Sequence, residues 1–401
     1  MAKHVTVRFG GGDTTVSPFR VTAYAEVPLG TVPTDVIATA DRIIGSAAVP
    51  VPDQPNDDTA YPENVVRGTA AVYKATPGST GTNYAPRTTV WFTEGSYWRT
   101  PLPTNATIHP NSANILHYIA VDGDTPSTEI RFAATSWTMP VYWAKPGDKE
   151  YNVPWTGYPS QRPTEHNTMR IPTGATPAAT SDGAMVVYDV QRGYVTSFHQ
   201  ATYNNANDTW STSGGSFAYL ASNGLDNRVK QTPWHEGSDD SRNSGSLRGN
   251  NGVTMYVSWE QVKAAADNGG DLGHIFKHSL ASFFREDFIA PTIGSDGKLP
   301  TSSPWYSVAP KNGTRMRIKP SVTLTGHGLT NAELAIARTL QRYGMYVGDS
   351  SNSSVIKLED LSVRDDLVPT PTWASIGITT TSMDVFPFLT AWEVIDETYW
   401  P

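Results

Sequence analysis

Short strand-like runs, each ended by turn-forming residues, recur along most of this 401-residue chain. Examples are residues 129–136, 184–190, 194–203 and 254–257, which are separated by glycine, asparagine, aspartate or proline. The second and third runs flank Gln191-Arg192-Gly193, which is typical of a three-residue hairpin loop with glycine at the left-handed position. Many short strands at this spacing favour a sandwich or a jelly roll.

The sequence therefore predicts a mainly β protein with three parts. Residues 91–364 are expected to form a jelly-roll-like β-sandwich with a few short helices. Residues 1–90 are expected to form a small N-terminal β-rich attachment domain, and residues 365–401 a C-terminal extension that packs on another domain or subunit. Helices are predicted over residues 112–120 and after two capping-box patterns, at 258–261 and 330–333.

The composition excludes several classes of site and partner. The chain has no cysteine, so disulfides, thiolate metal sites and cysteine nucleophiles are ruled out. Its formal net charge is -8 and only 17% of its residues are charged, so a surface that wraps nucleic acid is not expected. No run of about 18 apolar residues occurs, so no membrane span is predicted. The N-terminus begins with strand-like alternation, so no signal peptide is predicted either.

Four local patterns within residues 96–358 carry a resemblance to known proteins. The most specific joins residues 313–321 to residues 336–347, where both spacing and residue types match. The others are the segment 97–103 with 109–113, the hairpin 185–198, and the histidines His274 and His278. Together they resemble tail proteins of phages that infect actinobacteria, and related secreted, largely uncharacterised β-rich proteins of those bacteria.

The resemblance implies a minor tail or receptor-binding protein that contacts the polysaccharide of the host cell envelope. Such a protein is made in the host cytoplasm and located in the virion, in agreement with the missing signal peptide. Its expected partners are other tail subunits and the envelope glycan. A homo-oligomer, expected as a trimer, would raise the avidity of weak glycan contacts. The resemblance brings no catalytic residue and no cofactor, and both terminal segments lie outside it.

One candidate site lies around the hairpin, where Asp189 and His199 stand on the two strands beside tyrosines. Aromatic rings stack on the apolar faces of pyranoses, while carboxylate and imidazole groups hydrogen-bond hydroxyls. A concave β face would therefore bind sugars through Tyr188, Tyr194, His199, Trp210 and Trp234. The same hairpin could supply an acid and a base, which makes Asp189 and His199 catalytic candidates. Plain sheet pairing is the alternative.

Two other groups of side chains allow a functional and a structural interpretation. His274 and His278 would share a face of a helix and could reach one metal ion. No third ligand follows at a fixed spacing, so a packed pair is preferred and no metal site is predicted. His278 is also a catalytic candidate, because it belongs to the third pattern. Arg315, Arg317 and Lys319 alternate along one strand and could bind an anionic glycan or form a solvated face.

The sequence leaves three functions to compare. The first is the phage tail protein that contacts envelope polysaccharide. The second is a polysaccharide-active glycosidase or lyase that uses a concave β face. The third is a purely structural decoration or sheath subunit of the virion. No cofactor is predicted for any of them.

Overall fold

The computed structural model describes residues 4–8, 20–24, 87–229, 237–281, 284–364, 366–367 and 369–401. The chain divides into two compact units, Met1–Thr89 and Val90–Pro401. In the first unit, strand β1 (His4–Arg8) pairs antiparallel with strand β2 (Arg20–Tyr24). The rest of the predicted N-terminal β-rich domain lies outside the described residues.

The second unit contains two larger sheets and two short hairpin-like pairs. Its strands in the described ranges are β3 (Arg131–Ala133), β4 (Val141–Trp143), β5 (Glu150–Tyr151), β6 (Met169–Arg170), β7 (Met185–Asp189), β8 (Tyr194–His199), β9 (Thr202–Asn204), β10 (Thr209–Ser211), β11 (Gly214–Tyr219), β12 (Ser244–Gly245), β13 (Phe276–Leu280), β14 (Arg315–Ile318), β15 (Met345–Ser350), β16 (Val355–Lys357) and β17 (Trp392–Val394). Strands β5 and β6 form one short pair, and β9 and β10 form the other.

The first of the larger sheets has five strands in the order β12-β11-β8-β7-β4. Strands β7 and β8 form the predicted hairpin around Gly193, whose φ of 76° is the left-handed conformation that the loop requires. Every residue of β7 is buried, and so are the first five of β8. Both faces of this hairpin are therefore covered, and its valines, tyrosines and phenylalanine belong to the interior.

The second sheet has six strands in the order β17-β14-β15-β13-β16-β3. Strand β13 runs parallel to β15, and β16 runs parallel to β3, whereas the remaining neighbours are antiparallel. The largest apolar cluster of the described chain surrounds this sheet and includes Phe276, Ile336 and Val347. The carboxyl ends of β13 and β15 therefore lie side by side at one edge of a buried sheet.

The helices pack around this second sheet. They are α1 (Ser112–His117), α2 (Trp259–Asn268), α3 (Asn331–Arg342) and α4 (Phe388–Ala391), with a π-helical turn at Tyr118–Asp122 and 3-10 turns at Pro159–Gln161, Thr164–Asn167, Leu361–Val363 and Trp373–Ile376. The predicted capping box of α3 is confirmed, because Thr330 and Glu333 exchange backbone and side-chain hydrogen bonds. The box predicted for α2 is not formed, since Ser258 makes no side-chain cap hydrogen bond.

The described part is a mixed α/β fold with open sheets, and it is not clearly the jelly roll that the sequence predicts. A jelly roll consists of two antiparallel sheets. Here β4 is parallel to β7, β13 to β15, and β16 to β3. Parallel neighbours require long crossover connections, such as the one through α3 that joins β13 to β15. The spacing of short strands does not reveal such crossovers.

The C-terminal residues form part of the second unit. Strand β17 is the edge strand of the six-stranded sheet, paired with β14. The indole Nε1–H of Trp392 donates to the carbonyl of Phe386 at 2.8 Å, and its ring is buried. Residues 392–394 thus complete a sheet of their own unit. Among the described residues, no helix is long and apolar enough to cross a membrane.

Candidate functional site

The hairpin of β7 and β8 does not bring Asp189 and His199 together. Asp189 is paired with Tyr194 at the loop end of the hairpin, whereas His199 is the last residue of β8 at the opposite end. Five residue steps of extended strand separate Tyr194 from His199, which corresponds to roughly 17 Å. The two candidate side chains therefore cannot serve as acid and base on one bond.

Asp189 instead forms a buried ion pair. Its side chain has no exposure, and its carboxylate accepts a hydrogen bond from Arg170 Nε at 2.8 Å. The backbone N–H of Arg192 donates to the same carboxylate at 3.0 Å. The hydrogen bond with Asp189 raises the pKa of Arg170 above its ordinary value. This carboxylate therefore fixes the hairpin loop against β6, and no side of it is left for a substrate.

The aromatic rings predicted to stack on sugars belong to the core. Tyr188 is 1% exposed and stacks on Trp143 with ring centroids 4.6 Å apart. Tyr194 and Trp210 are buried as well. Tyr188 and Tyr194 lie in a sheet that is covered on both faces, whereas a sugar-binding surface needs one open face, and Trp210 packs in the apolar cluster beside that sheet. No face of these three rings is open to a sugar.

The other two members of the predicted set differ. His199 is half-buried, and its Nδ1 lies 2.9 Å from the hydroxyl of Ser213 on the neighbouring chain segment. This contact agrees with the alternative interpretation, in which His199 satisfies a polar group beside the sheet. Trp234 lies outside the described residues.

The histidines His274 and His278 do not form a metal site. His278 lies in β13, and His274 precedes that strand, so the helical face that would bring them together does not exist. His274 Nε2 is 3.0 Å from Gln261 Oε1, and its Nδ1 is 2.9 Å from the Ile275 carbonyl. Both nitrogens of His278 are buried without a hydrogen-bond partner in the described chain. Burial lowers the pKa of His274 to about 4 and, with Lys277, that of His278 to about 3.

The arginines of strand β14 form internal packing contacts. Arg315 and Arg317 are both buried. Arg315 Nε donates to the Tyr343 carbonyl at 3.0 Å, and Arg317 Nη1 donates to the Pro103 carbonyl at 2.7 Å. These guanidinium groups join the two segments of the most specific pattern to the 97–103 segment of another in one packed region. The pattern around 315–319 is therefore explained by packing, and only the side chain of Lys319 reaches toward solvent.

A cleft of about 620 Å³ extends from the carboxyl ends of β13 and β15 along β16 and the edge strand β3 to the loop that follows β3. Much of its wall comes from residues 131–137, 296–298 and 349–353. Ligands of open α/β sheets commonly bind outside the carboxyl ends of parallel strands. The size of the cleft is typical of a site for a small organic ligand or a few sugar units. It is therefore a candidate ligand site of the described chain.

One corner of the cleft carries an exposed tryptophan. Trp137 follows β3 on a short polar loop, is 46% exposed, and has a left-handed φ of 59°. The Nζ of Lys357, in the neighbouring strand β16, lies 5.7 Å from the ring centroid. The same Nζ donates to Asp182 Oδ2 at 3.1 Å. Together these three side chains, here called the Trp137 corner, present an apolar ring beside a donor and an acceptor.

The opposite wall contains two aspartates that share a guanidinium. Arg248 Nη2 donates to Asp296 Oδ2 at 2.9 Å and to Asp349 Oδ1 at 2.8 Å. Lys277, which is almost fully buried, donates to Asp349 Oδ2 at 2.7 Å. The hydroxyl of Ser350 donates to Asp296 Oδ2 at 2.8 Å. These contacts hold the 296–298 and 349–353 segments together and bring two carboxyl groups into the wall of the cleft.

The two aspartates have opposite tendencies to ionise. Burial raises the pKa of Asp296. Burial also opposes the ionisation of Asp349, but Lys277 and Arg248 lower the pKa of Asp349 below its usual range. Asp296 Oδ1 is buried and has no hydrogen-bond partner among the residues described, whereas both oxygens of Asp349 accept from cationic groups, so Asp296 is the carboxyl that holds a proton more readily.

The sequence gives weak signals for this cleft. Trp137 is a single tryptophan in the polar stretch Thr135-Ser136-Trp137-Thr138, a pattern that fits an exposed loop tip. Residues 349–353 read Asp-Ser-Ser-Asn-Ser, a polar run between two strands. Neither signal identifies the partners, because Asp182 and Asp296 are distant in sequence and meet the loops only in the folded chain. These residues are the ones that sequence reasoning missed.

Comparison with known proteins gives no assignment. No protein-family model, no curated protein and no solved structure matches this chain. The cleft geometry and the sequence patterns therefore carry the functional argument alone.

Proposed function

We propose that this chain is a minor tail or receptor-binding protein of an actinobacterial phage, and that its cleft contacts the polysaccharide of the host envelope. The observation that carries the proposal is the Trp137 corner, where an exposed indole lies beside polar loops in a cleft. Exposed aromatic rings with nearby hydrogen-bonding groups are the usual means of binding sugars. The four sequence patterns support the tail assignment.

In this proposal the protein is located in the virion and binds other tail subunits as well as the glycan. A homo-oligomer, expected as a trimer, would present several clefts to one polymer and raise the avidity of weak contacts. The jelly-roll-like sandwich is not required, because the cleft is built at the edge of an open sheet. A purely structural decoration or sheath subunit is the competing assignment without glycan binding.

The test of the proposal is binding to cell walls. The purified chain is mixed with washed actinobacterial cell walls and, separately, with walls from which the polysaccharide has been removed. We expect the chain to sediment with intact walls only. Absence of the chain from both pellets would refute the glycan-binding proposal and leave the assignment as a structural subunit. Mass spectrometry of purified phage particles tests the tail assignment, since the chain must be present there at a stoichiometry typical of a tail component.

A second candidate function is hydrolysis of the same polysaccharide, and the aspartate pair favours it. Two carboxyl groups whose environments separate their pKa values can serve as an acid and a base. Here the two carboxyl groups share one nitrogen of Arg248, whereas glycosidases that activate a water place their carboxyl groups roughly 6.5 to 9.5 Å apart, so this function requires the pair to separate when the glycan binds. Asp296 would give its proton to the glycosidic oxygen as the C–O bond breaks. Asp349 would take a proton from the water that attacks the anomeric carbon.

Reducing-end release from actinobacterial arabinogalactan measures this second function. An active chain should lose about 100-fold or more of its rate on Asp296→Asn, because a general acid contributes roughly 10²–10⁴-fold. The same variant should still bind cell walls. If the wild-type chain binds cell walls but releases no reducing ends, the hydrolase function is rejected and the receptor-binding function is retained.

A further inference from the structure

We infer that the Trp137 corner is a saccharide subsite that recognises a neutral sugar through one apolar ring face and a vicinal diol. The inference rests on the proposed function and adds the chemical class of the ligand. It concerns Trp137, Lys357 and Asp182 only, and it is independent of the aspartate pair on the opposite wall.

The first argument is the unfavourable state of Trp137 in the isolated chain. Nearly half of the indole is exposed, and its backbone adopts a left-handed φ of 59°. Large side chains avoid both conditions, because the exposed ring loses apolar burial and the backbone is strained. Such features cluster at ligand sites, where a bound molecule covers the ring. The flat face of a sugar ring, formed by its C–H groups, is a suitable cover for an indole.

The second argument is the ion pair beside the ring. Lys357 Nζ donates to Asp182 Oδ2 at 3.1 Å, so an ammonium and a carboxylate are held side by side. Lys357 is mostly buried in strand β16, whereas Asp182 is 38% exposed on its turn. An ammonium can only donate hydrogen bonds, and a carboxylate can only accept them. Two adjacent hydroxyls satisfy this arrangement, because one donates to Asp182 while its neighbour accepts from Lys357.

The third argument is the charge balance of this part of the cleft. Lys357 is neutralised by Asp182, and Arg131 at the same edge donates to Asp384 at 2.7 Å. An anionic polymer would have to displace these carboxylates, and like charges across a site are unfavourable. A neutral sugar meets no such penalty. The ligand class that fits is therefore an uncharged sugar residue with a free vicinal diol.

The experiment measures binding of arabinogalactan purified from actinobacterial cell walls, immobilised on a biosensor surface. The same polymer is used after periodate oxidation and borohydride reduction, which break the C–C bond between vicinal hydroxyl-bearing carbons. The variants are Trp137→Ala, Trp137→Phe, Asp182→Asn and Trp305→Ala. Trp305 is the matched control, because its ring is similarly exposed, at 40%, and it does not line the cleft. The far-UV circular dichroism of each variant is compared with that of the wild-type chain.

The inference expects wild-type binding to fall at least tenfold on the oxidised polymer. Trp137→Ala should weaken binding of the native polymer about 3- to 10-fold, from the loss of one stacking contact. Asp182→Asn should weaken it about tenfold, because a charged hydrogen-bond acceptor is lost. Trp137→Phe, which retains a ring, and Trp305→Ala should bind nearly as the wild type does.

The possible results distinguish a failure of the subsite from a failure of the proposed function. If Trp137→Ala binds as strongly as the wild type, or if the wild type still binds the oxidised polymer, the subsite is overturned and the envelope-binding function stays in place. A wild-type chain that binds neither this polymer nor whole cell walls overturns the proposed function and the subsite with it. Trp137→Phe controls for misfolding. If the Phe variant is folded and retains binding while the Ala variant binds more weakly, the loss in the Ala variant comes from removal of the aromatic ring.

Discussion

Replacing His278 by leucine should make the protein more resistant to acid. His278 lies on the core-facing side of β13 with Phe276 and Leu280, fully buried, and its ring centroid is 6.4 Å from that of Phe388. Neither ring nitrogen has a hydrogen-bond partner within the described ranges. The folded state therefore strongly disfavours the protonated ring, and burial with nearby Lys277 lowers the pKa of His278 to about 3.

The size of the effect follows from proton linkage. The pKa is near 6.5 in the unfolded chain and about 3 in the folded one. Between these values the unfolded state binds more protons, so stability falls as the pH falls through 6.5 and continues to fall toward 3. One pKa unit corresponds to about 1.4 kcal/mol, so at pH 5 this ring costs roughly 2 kcal/mol relative to pH 7 or above. His166 and His274 shift in the same direction, to about 3 and 4.

The assay is urea unfolding followed by tryptophan fluorescence at pH 7 and at pH 5. All 12 tryptophans lie between residues 91 and 400, so the signal reports on the second unit. At pH 7, His278→Leu should unfold within about 1.5 kcal/mol of the wild type, because leucine is apolar and similar in volume. At pH 5 the free energy of unfolding of the variant should exceed that of the wild type by roughly 2 kcal/mol more than at pH 7.

The matched control is His278→Gln, which removes the titration and retains buried polar atoms. It should show the same pH-dependent gain as the leucine variant and a lower stability at pH 7, since an unsatisfied buried polar group costs about 1–3 kcal/mol. A difference between wild type and His278→Leu that is equal at the two pH values would refute the reasoning. So would an NMR titration that finds the His278 ring protonating near pH 6.5 in the folded protein.

Two further predictions concern stability. Asp189→Ala should lower the free energy of unfolding by about 3–5 kcal/mol, measured by the same urea assay, because it leaves buried Arg170 without a counter-charge; a change below about 1 kcal/mol would contradict the buried pair. Gly344→Ala should destabilise more than Gly326→Ala, and thermal unfolding compares them. Both glycines have positive φ, but a Cβ at Gly344 meets a backbone carbonyl at 2.4 Å, whereas nothing lies within 4 Å at Gly326. Equal losses would show that the contact at Gly344 relaxes.

Local signals in the sequence predict the elements of this protein better than their arrangement. The hairpin around Gly193 and the helix after Thr330 are read correctly, because loop length, glycine and a capping box act within a few residues. The parallel pairing of β13 with β15 could not be read in this way. It depends on a crossover of more than sixty residues, and on a register set by packing in the core.

The candidate site was harder to predict for a related reason. A tyrosine or an aspartate on a strand looks the same in sequence whether its sheet is open or covered on both faces. Tyr188 and Asp189 have side chains suited to sugar binding, but in the covered sheet the ring packs and the carboxylate forms an ion pair. The Trp137 corner depends on Asp182 and Lys357, which are separated by 175 positions. No spacing rule joins residues that far apart.

The positions of the sequence patterns suggest how such a scaffold changes its ligand. The ring of Trp98 lies 5.4 Å from that of Tyr346, and Arg315 and Arg317 donate to carbonyls of two other patterned segments, so two of the four patterns meet in one packed region. Trp137 and Asp182 lie between the patterns, on loops that the scaffold holds at the sheet edge. Packing residues restrict one another, whereas loop residues can change at little cost in stability. If the proposed sugar binding holds, a chain with the same four patterns and a different 134–138 loop should therefore keep this fold and bind a different sugar.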